Sequence, residues 1–415
     1  MILNIQASQA SGKVTAPPSK SMAHRQLIAA ALAAEPRRVE PLEWSEDILA
    51  TLDCLRAMGA RVEQGERSVS IGGLDPFAVP EGTVLPCRSS GSTLRFLLPL
   101  ALLSGREVIF TGSERLLERP LEPYEQICAE QHLFYDRQKD AVRVRGPLRP
   151  GDFELPGDLS SQFVTGLFFA LPFLEGQSRI TLLPPVESRS YIGMSLAVQR
   201  DFSIRIVSVG TERFHIPAKQ KYRPHPVQVE GDWSNAAGLE ALNCLGGNVR
   251  VLGLNQLSPQ GDKLYLQHFK TLRQKKPVID LSDCPDLGPV LMALAAAYNG
   301  VMLEGAQRLR LKESSRGEVM AEELEKFGIQ SVVDGDRIWV QGGTLRSPTE
   351  VLDSHNDHRI AMALTLLCTL CGGRLRGAEA VSKSWPEFYD VLQGLGILIT
   401  REPETESEET DGSGI

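Results

Sequence analysis

Apolar stretches of helical length recur six times along the chain, each introduced by a short polar segment. Ser19-Lys20-Ser21 leads into 22–34, Ser89-Ser90-Gly91-Ser92 into 93–103, and residues 158–162 into 163–174. Gly231-Asp232-Trp233-Ser234 leads into 235–245, Asp283-Cys284-Pro285-Asp286 into 287–298, and His355-Asn356-Asp357-His358 into 359–370. Marks at 20, 90, 160, 232, 285 and 357 lie 70, 70, 72, 53 and 72 residues apart, which predicts one structural unit used six times.

A second pattern runs in phase with the first. An amphipathic helix ending at a small residue is followed by two alternating strands, at 54–59 with 61–63 and 68–71, and at 319–328 with 330–333 and 337–340. Weaker copies end near His132 and Ser203, and a truncated one spans 391–399. A helix that is apolar nearly all round has to be buried, so the pattern predicts an α/β fold with six helices inside and sheets wrapped around them.

Each of those helices begins with about four unpaired N–H groups and a partial positive charge of roughly half a unit, a ready anion site. Capping explains any single polar segment. It does not explain the cations beside them, which oppose the helix dipole: Lys20, His24 and Arg25 at one helix start, Arg95 at another, His358 and Arg359 at a third. Lys312 and Arg316 are predicted to open a further helix running to Phe327. Together they call for an anion with more than one phosphate or carboxylate. Ser160-Ser161-Gln162 adds two hydroxyls and an amide suited to phosphate oxygens or a polyol. Asp286 and Glu313, single acids among small and apolar neighbours, are either helix caps or proton-transfer groups if burial raises their pKa.

Composition narrows the class. At 415 residues the chain exceeds what one core usually supports, so two domains are expected, and 42% hydrophobic with 23% charged residues is globular composition. The 44 basic against 52 acidic side chains give −8, which argues against a nucleic-acid partner and, at face value, against acidic substrates. Residues 401–415 carry six acids and one Arg and are expected to be a disordered acidic tail. No basic segment followed by an apolar run opens the chain, and the longest apolar windows, 163–174 and 360–371, are too short for a membrane span, so a cytoplasmic location without membrane attachment is expected. Seven scattered cysteines suit a reducing compartment, and Cys368 with Cys371 fall inside an apolar run as core thiols. His355-x-x-His358 has metal-like spacing, but the adjoining Arg359 would repel a cation and no metal is expected. Nucleotide phosphate loops and the G-x-S-x-G hydrolase elbow do not occur.

One family carries these motifs in this order. Pro18-Ser19-Lys20-Ser21-Met22-Ala23-His24-Arg25, Ser90-Gly91-Ser92-Thr93-Leu94-Arg95, Glu118-Arg119-Pro120 and Gly157-Asp158-Leu159-Ser160-Ser161-Gln162-Phe163 fall in the first half. Val229-Glu230-Gly231-Asp232, Pro285-Asp286, Lys312-Glu313-Ser314-Ser315-Arg316, Asn356-Asp357-His358-Arg359-Ile360-Ala361-Met362 and Lys383-Ser384-Trp385-Pro386 follow. The chain resembles the 5-enolpyruvylshikimate-3-phosphate synthases, enolpyruvyl transferases, over nearly its whole length. The resemblance implies a two-domain inside-out α/β barrel, each domain built of three repeated units. Residues 1–17 and 229–400 would form one domain, on the phosphoenolpyruvate side, and 18–228 the other, on the shikimate 3-phosphate side.

It further implies transfer of the enolpyruvyl group of phosphoenolpyruvate to the 5-hydroxyl of shikimate 3-phosphate with release of phosphate, in the shikimate pathway to chorismate and the aromatic amino acids. No cofactor or metal is implied, a monomer is expected, and glyphosate is the family's inhibitor at the phosphoenolpyruvate site. Lys20, Ser160, Ser161 and Ser188 would hold the shikimate phosphate, and Ser21, Arg25, Gln162, Asp286 and Lys312 the ring hydroxyls. Phosphoenolpyruvate would lie among Lys20, Gly91, Arg119, Gln162, Arg316, Arg359 and Lys383. Asp286 would act as base at the hydroxyl and Glu313 as acid at the methylene, with Lys20 assisting.

Pro18, Ser315 and Arg308 depart from the family's usual Gly, Asp and, in some members, substrate-contacting Asn. Two alternatives stand beside this reading. A UDP-N-acetylglucosamine enolpyruvyl transferase typically has a reactive Cys where this chain has Glu118-Arg119-Pro120, with Cys128 the nearest thiol; a non-catalytic anion-binding relative would have lost Lys20, Asp286, Glu313 or Lys383, and all four are present. The implied cleft gathers Lys20, Arg25, Arg119, Lys312, Arg316, Arg359 and Lys383 against two acids, so the net charge describes the exterior and the tail.

Overall fold

The computed structural model describes residues 1–275 and 277–402. The six apolar stretches form the helices Lys20–Leu32, Gly91–Ala101, Ser161–Ala170, Trp233–Cys244, Gly288–Ala297 and His358–Cys371, and most residues of each are buried. Five start on a side chain that satisfies a free N–H. Ser19 Oγ accepts from Met22 N at 3.4 Å, Ser90 Oγ from Thr93 N at 3.2 Å and Ser160 Oγ from Gln162 N at 3.3 Å. Asp232 Oδ1 accepts from Asn235 N at 2.7 Å and Asp357 Oδ1 from Arg359 N at 2.9 Å. The sixth, Gly288–Ala297, follows the 3-10 turn Pro285–Leu287 and has no side-chain cap among the described residues, which leaves Asp286 uncommitted to its own helix.

The buried helices fall into two sets of three around separate cores. One core draws on residues from Met22 to Val229. The other draws on Leu3 to Ala16 and Trp233 to Ile399. In the first set Gly166 lets helices Gly91–Ala101 and Ser161–Ala170 touch: a Cβ there would lie 2.3 Å from Arg95 O and from Tyr124 Oη, an overpacking that costs about 1–3 kcal/mol. The two segments that link the sets run side by side, with Ser19 N donating to Glu230 O and Asp232 N to Pro17 O, each at 2.8 Å. The opening caps of one helix from each set, Ser19 and Asp232, are thereby fixed beside each other.

Sheets cover the helices as the repeat predicts. Five have four strands in one arrangement, a parallel pair extended by two antiparallel strands, as in Asp152–Pro156, Ser178–Leu183, Arg213–Ile216 and Val207–Val209. The sixth has only Ser11–Thr15 parallel to Asn248–Leu252. It lacks the following hairpin, which accounts for the short spacing of 53 between marks 232 and 285.

Two expectations need correction. Strand Ile399–Arg401 pairs with Ile2–Ile5, and Glu402 meets Arg374 at 2.5 Å, so the first two residues of the expected tail belong to the fold. Residues 403–415 lie outside the described residues. The helix expected to open with Lys312 spans Arg316–Lys326, and Lys312 follows the 3-10 turn Gln307–Leu311 in an extended conformation. Among the described residues no helix is long and apolar enough to cross a membrane.

Candidate active site

The polar starts of all six buried helices open into one cleft between the two cores. Lys20, Gly91 and Ser161 reach it from one set, Asp232, Asp286 and His358 from the other or its immediate lead-in. Of the predicted site residues, Lys20, Ser21, Arg25, Gly91, Arg119, Ser160, Ser161, Gln162 and Ser188 line the cleft from one core. Asp286, Lys312, Glu313, Arg316 and Arg359 line it from the other. Lys383 does not. Its ammonium, on the 3-10 turn Ala378–Lys383, is taken up by Asn356 O behind the His355–Arg359 turn.

Arg316 organises the carboxylates. Its Nη1 donates to Asp286 Oδ1 at 2.9 Å, its Nη2 to Glu313 Oε2 at 2.7 Å and its Nε to Asp357 Oδ2 at 2.8 Å. Lys312 Nζ donates to the same Asp286 Oδ1 at 2.9 Å and Tyr191 Oη to Oδ2 at 3.1 Å. Neither acid caps a helix. On the opposite wall Lys20 Nζ donates to Asp47 Oδ2 at 2.8 Å, and Arg25 is wedged between Ser195 Oγ at 2.9 Å and Ser21 O at 2.7 Å. Arg119 Nε crosses to the other core and donates to Leu311 O at 3.0 Å, while its Nη1 would be 2.8 Å from a Cβ at Gly91. Gly91 thus leaves the guanidinium room to approach the helix start.

Several cleft residues were not singled out as substrate contacts from the sequence. Arg95, noted there only as a cation near a helix start, donates to Gln162 Oε1 at 2.7 Å and to Pro120 O at 2.9 Å, orienting the Gln162 amide. Tyr191 reaches Asp286 from helix Arg189–Asp201; its position three residues beyond Ser188 was a signal, but only the helix orientation shows which way it faces. Asp47, Asp232 and His358 also line the cleft. His355 Nε2 instead meets Glu323 Oε1 at 3.1 Å, so the two histidines of His355-x-x-His358 do not converge. Cys128 is buried in helix Glu122–Glu130, and burial pushes its thiol up to about 12.

The model of the EPSP synthase family (3-phosphoshikimate 1-carboxyvinyltransferase) matches residues 5–392. The chain belongs to the EPSP synthase family. It is 37% identical to the 3-phosphoshikimate 1-carboxyvinyltransferase of Clostridium kluyveri, covering 95% of this chain and 97% of that one. With the protein of the same name from Clostridium acetobutylicum it shares 38% identity over 93% and 95% of the two chains. Its fold matches the EPSP synthase of Acinetobacter baumannii with a TM-score of 0.79 at 23% identity, covering 96% and 100%. It also matches the enolpyruvyl transferase NikO of Streptomyces tendae, with a TM-score of 0.75 at 19% identity, covering 96% and 98%. The six-unit α/β architecture read from the repeat is the fold of this family.

The electrostatics of this EPSP synthase-family cleft reverse one expectation. Burial pushes the Asp286 carboxyl up, but Lys312, Arg316 and Arg359 outweigh it and hold Asp286 well below the usual carboxylate range. Burial likewise raises Glu313, and the cations Arg316, Arg119 and Lys20 outweigh it in the same way. Both acids are therefore ionised in the substrate-free cleft rather than held protonated. Burial first, then Arg316 and Arg308, lower Lys312. Burial with Lys20 and Arg359 keeps His358 neutral, and burial takes Arg25 down to about 10. A cleft with this surplus of positive charge is built for anions.

Proposed function

We propose that the chain is a 3-phosphoshikimate 1-carboxyvinyltransferase, moving the enolpyruvyl group of phosphoenolpyruvate to the 5-hydroxyl of shikimate 3-phosphate in the shikimate pathway. The observation that carries this reading is the convergence of six helix N-termini and the cations Lys20, Arg25, Arg119, Lys312, Arg316 and Arg359 on one cleft that also holds two acids unused as caps. The segments 1–17 with 229–400, and 18–228, act as the two domains that close over the substrates.

Shikimate 3-phosphate sits against Ser160, Ser161, Ser188 and Lys20 by its phosphate and against Ser21, Arg25, Gln162, Asp286 and Lys312 by its ring. Phosphoenolpyruvate sits against Gly91, Arg119, Gln162, Arg316 and Arg359, whose guanidinium forks suit its carboxylate and phosphate. Lys383 joins them only if it leaves Asn356 O. Asp286, ionised by its cationic neighbours, accepts the proton of the 5-hydroxyl as the oxygen attacks C2 of phosphoenolpyruvate.

Glu313 delivers a proton to the methylene carbon. Two multiply charged anions reverse the local field and raise the Glu313 pKa, so protonation accompanies formation of the ternary complex. The resulting tetrahedral centre then loses phosphate, which carries off the proton that Asp286 took from the hydroxyl, and the methyl group gives back one proton to Glu313, restoring the double bond. Arginine and lysine side chains stabilise the departing phosphate. The chain works as a monomer, since one chain supplies both walls of the cleft, and in the cytoplasm.

Release of phosphate from phosphoenolpyruvate, measured with shikimate 3-phosphate, with UDP-N-acetylglucosamine and with neither, tests the activity. The rate is expected to require shikimate 3-phosphate. A requirement for the nucleotide sugar, or release with no acceptor, would refute it. Cys128, buried in a helix outside the Glu118-Arg119-Pro120 loop, offers the nucleotide-sugar reaction no thiol in the cleft.

A further inference from the structure

Arg308 is a buried cation that lacks a matched partner. It lies on the 3-10 turn Gln307–Leu311 of one core, is 5% exposed, and points its guanidinium into the cleft at Ser188 Oγ of the other core, to which Nη1 donates. The nearest carboxylate, Glu187 Oε2, stands 3.8 Å from Nε, and among the described residues neither atom has a hydrogen-bond partner. A buried Arg–carboxylate pair that serves stability closes to a forked contact at about 2.7–2.9 Å, because an open pair bears the desolvation cost without the return. Burial accordingly lowers the Arg308 pKa and pushes Glu187 up to about 7.

Ser188 is set up for the same task. It adopts a left-handed φ of 51°, makes no cap bond to its helix Arg189–Asp201 among the described residues, and is pinned through its N–H to Ser282 O at 2.9 Å. Such backbone strain in a cleft is kept where a side chain has to be aimed. The hydroxyl is thereby held by the Arg308 guanidinium and not by its own helix, so the two groups line the cleft together.

We propose that Arg308 reads the phosphate of shikimate 3-phosphate and is a specificity-determining residue for the phosphorylated acceptor, an inference that rests on the activity proposed above. A tetrahedral dianion can take the guanidinium on one edge and the hydroxyls of Ser160, Ser161 and Ser188 on its remaining oxygens. A planar carboxylate would use the fork and leave the hydroxyls idle. Because Arg308 comes from the core opposite the three serines, the phosphate would tie the two walls together.

The test is equilibrium binding of shikimate 3-phosphate and of unphosphorylated shikimate to the parent, Arg308→Gln and Arg308→Lys, with the KM for phosphoenolpyruvate as a second readout. In Arg308→Gln the affinity for shikimate 3-phosphate should fall about 100-fold while that for shikimate changes less than threefold. Arg308→Lys, which keeps the charge without the fork, should fall between, and the KM for phosphoenolpyruvate at saturating acceptor should stay within threefold. Equal weakening of both acceptors in the two variants would make Arg308 a structural residue and overturn the proposal, as would unchanged discrimination. A parent that binds no shikimate 3-phosphate would overturn the activity reading itself, and this inference with it.

Discussion

Arg316 Nη1 stands 2.9 Å from Asp286 Oδ1, a fully formed ion pair at the point where two cores meet. The same guanidinium holds Glu313 and Asp357, so the two proposed proton-transfer groups share one cation. Arg316→Lys cannot serve three carboxylates, having one donor head in place of a planar fork. We expect kcat/KM for phosphoenolpyruvate to fall about 100-fold or more. Because the shorter lysine keeps the charge but not the 2.9 Å contact with Asp286, part of the field that depresses the Asp286 pKa is lost, and the acidic limb of the pH–rate profile should move to higher pH. An unmoved limb would show that Arg316 does not set the ionisation of Asp286.

Asp286→Asn and Glu313→Gln separate binding from chemistry. Each keeps the shape of the side chain and one acceptor oxygen, but turns the other oxygen into an NH2 donor and cannot exchange a proton at neutral pH. Dissociation constants for both substrates are expected to stay within about fivefold, while kcat falls roughly 10²- to 10⁴-fold, the usual contribution of a general acid or base. Stopped-flow turnover beside direct binding measurements decides the matter, and near-parental turnover in both variants would remove the two acids from the mechanism.

Gly91→Ala places a Cβ 2.8 Å from Arg119 Nη1. The obstructed atom ends a flexible side chain, so the protein should fold with an unaltered melting temperature while the guanidinium moves aside. A displacement of this kind in a substrate clamp raises the KM for phosphoenolpyruvate about tenfold or more. Glyphosate, which takes the same site in this family, should lose potency in parallel, and the KM for shikimate 3-phosphate should hold. A drop in melting temperature with unchanged KM would place the role of Gly91 in packing.

Asp262 supplies a pH prediction for stability. Burial first, then the charge of Asp286, raises its pKa from an ordinary 3.8 to about 7. Between those values the folded protein holds a proton that the unfolded chain releases, so raising the pH through this window costs stability, and the full cost is present above about 7. Asp262→Asn removes the titration. Its melting temperature relative to the parent should therefore improve from pH 5 to about pH 7 and level off above it, and a difference that stays flat across pH 5–7 would contradict the assignment.

The fold was readable because its main signal is local. A helix buried on every side is apolar on every side, and six of them at near-constant spacing announce a repeated unit; even the missing hairpin of the fourth unit left its mark as a shorter interval. The helix starts were readable for the same reason, since Ser19, Ser90 and Asp357 act on their own helices. What the sequence hid is tertiary. Asp286 is held ionised by Lys312, Arg316 and Arg359, none of them its neighbours in the chain. Lys383 is drawn away by a backbone carbonyl, and the reach of Tyr191 and Arg308 into the cleft depends on how two cores face each other.

The central claim is that one cleft protonates the methylene of phosphoenolpyruvate, joins C2 to the 5-hydroxyl of shikimate 3-phosphate and expels phosphate. The most direct test follows the reaction of the full chain in D₂O by proton and phosphorus NMR, with both substrates present. The account predicts an enolpyruvyl ether of shikimate 3-phosphate and inorganic phosphate in equal amounts, with deuterium entering the vinyl methylene of the product. Phosphate without the ether, or an ether whose methylene carries no deuterium, would contradict it.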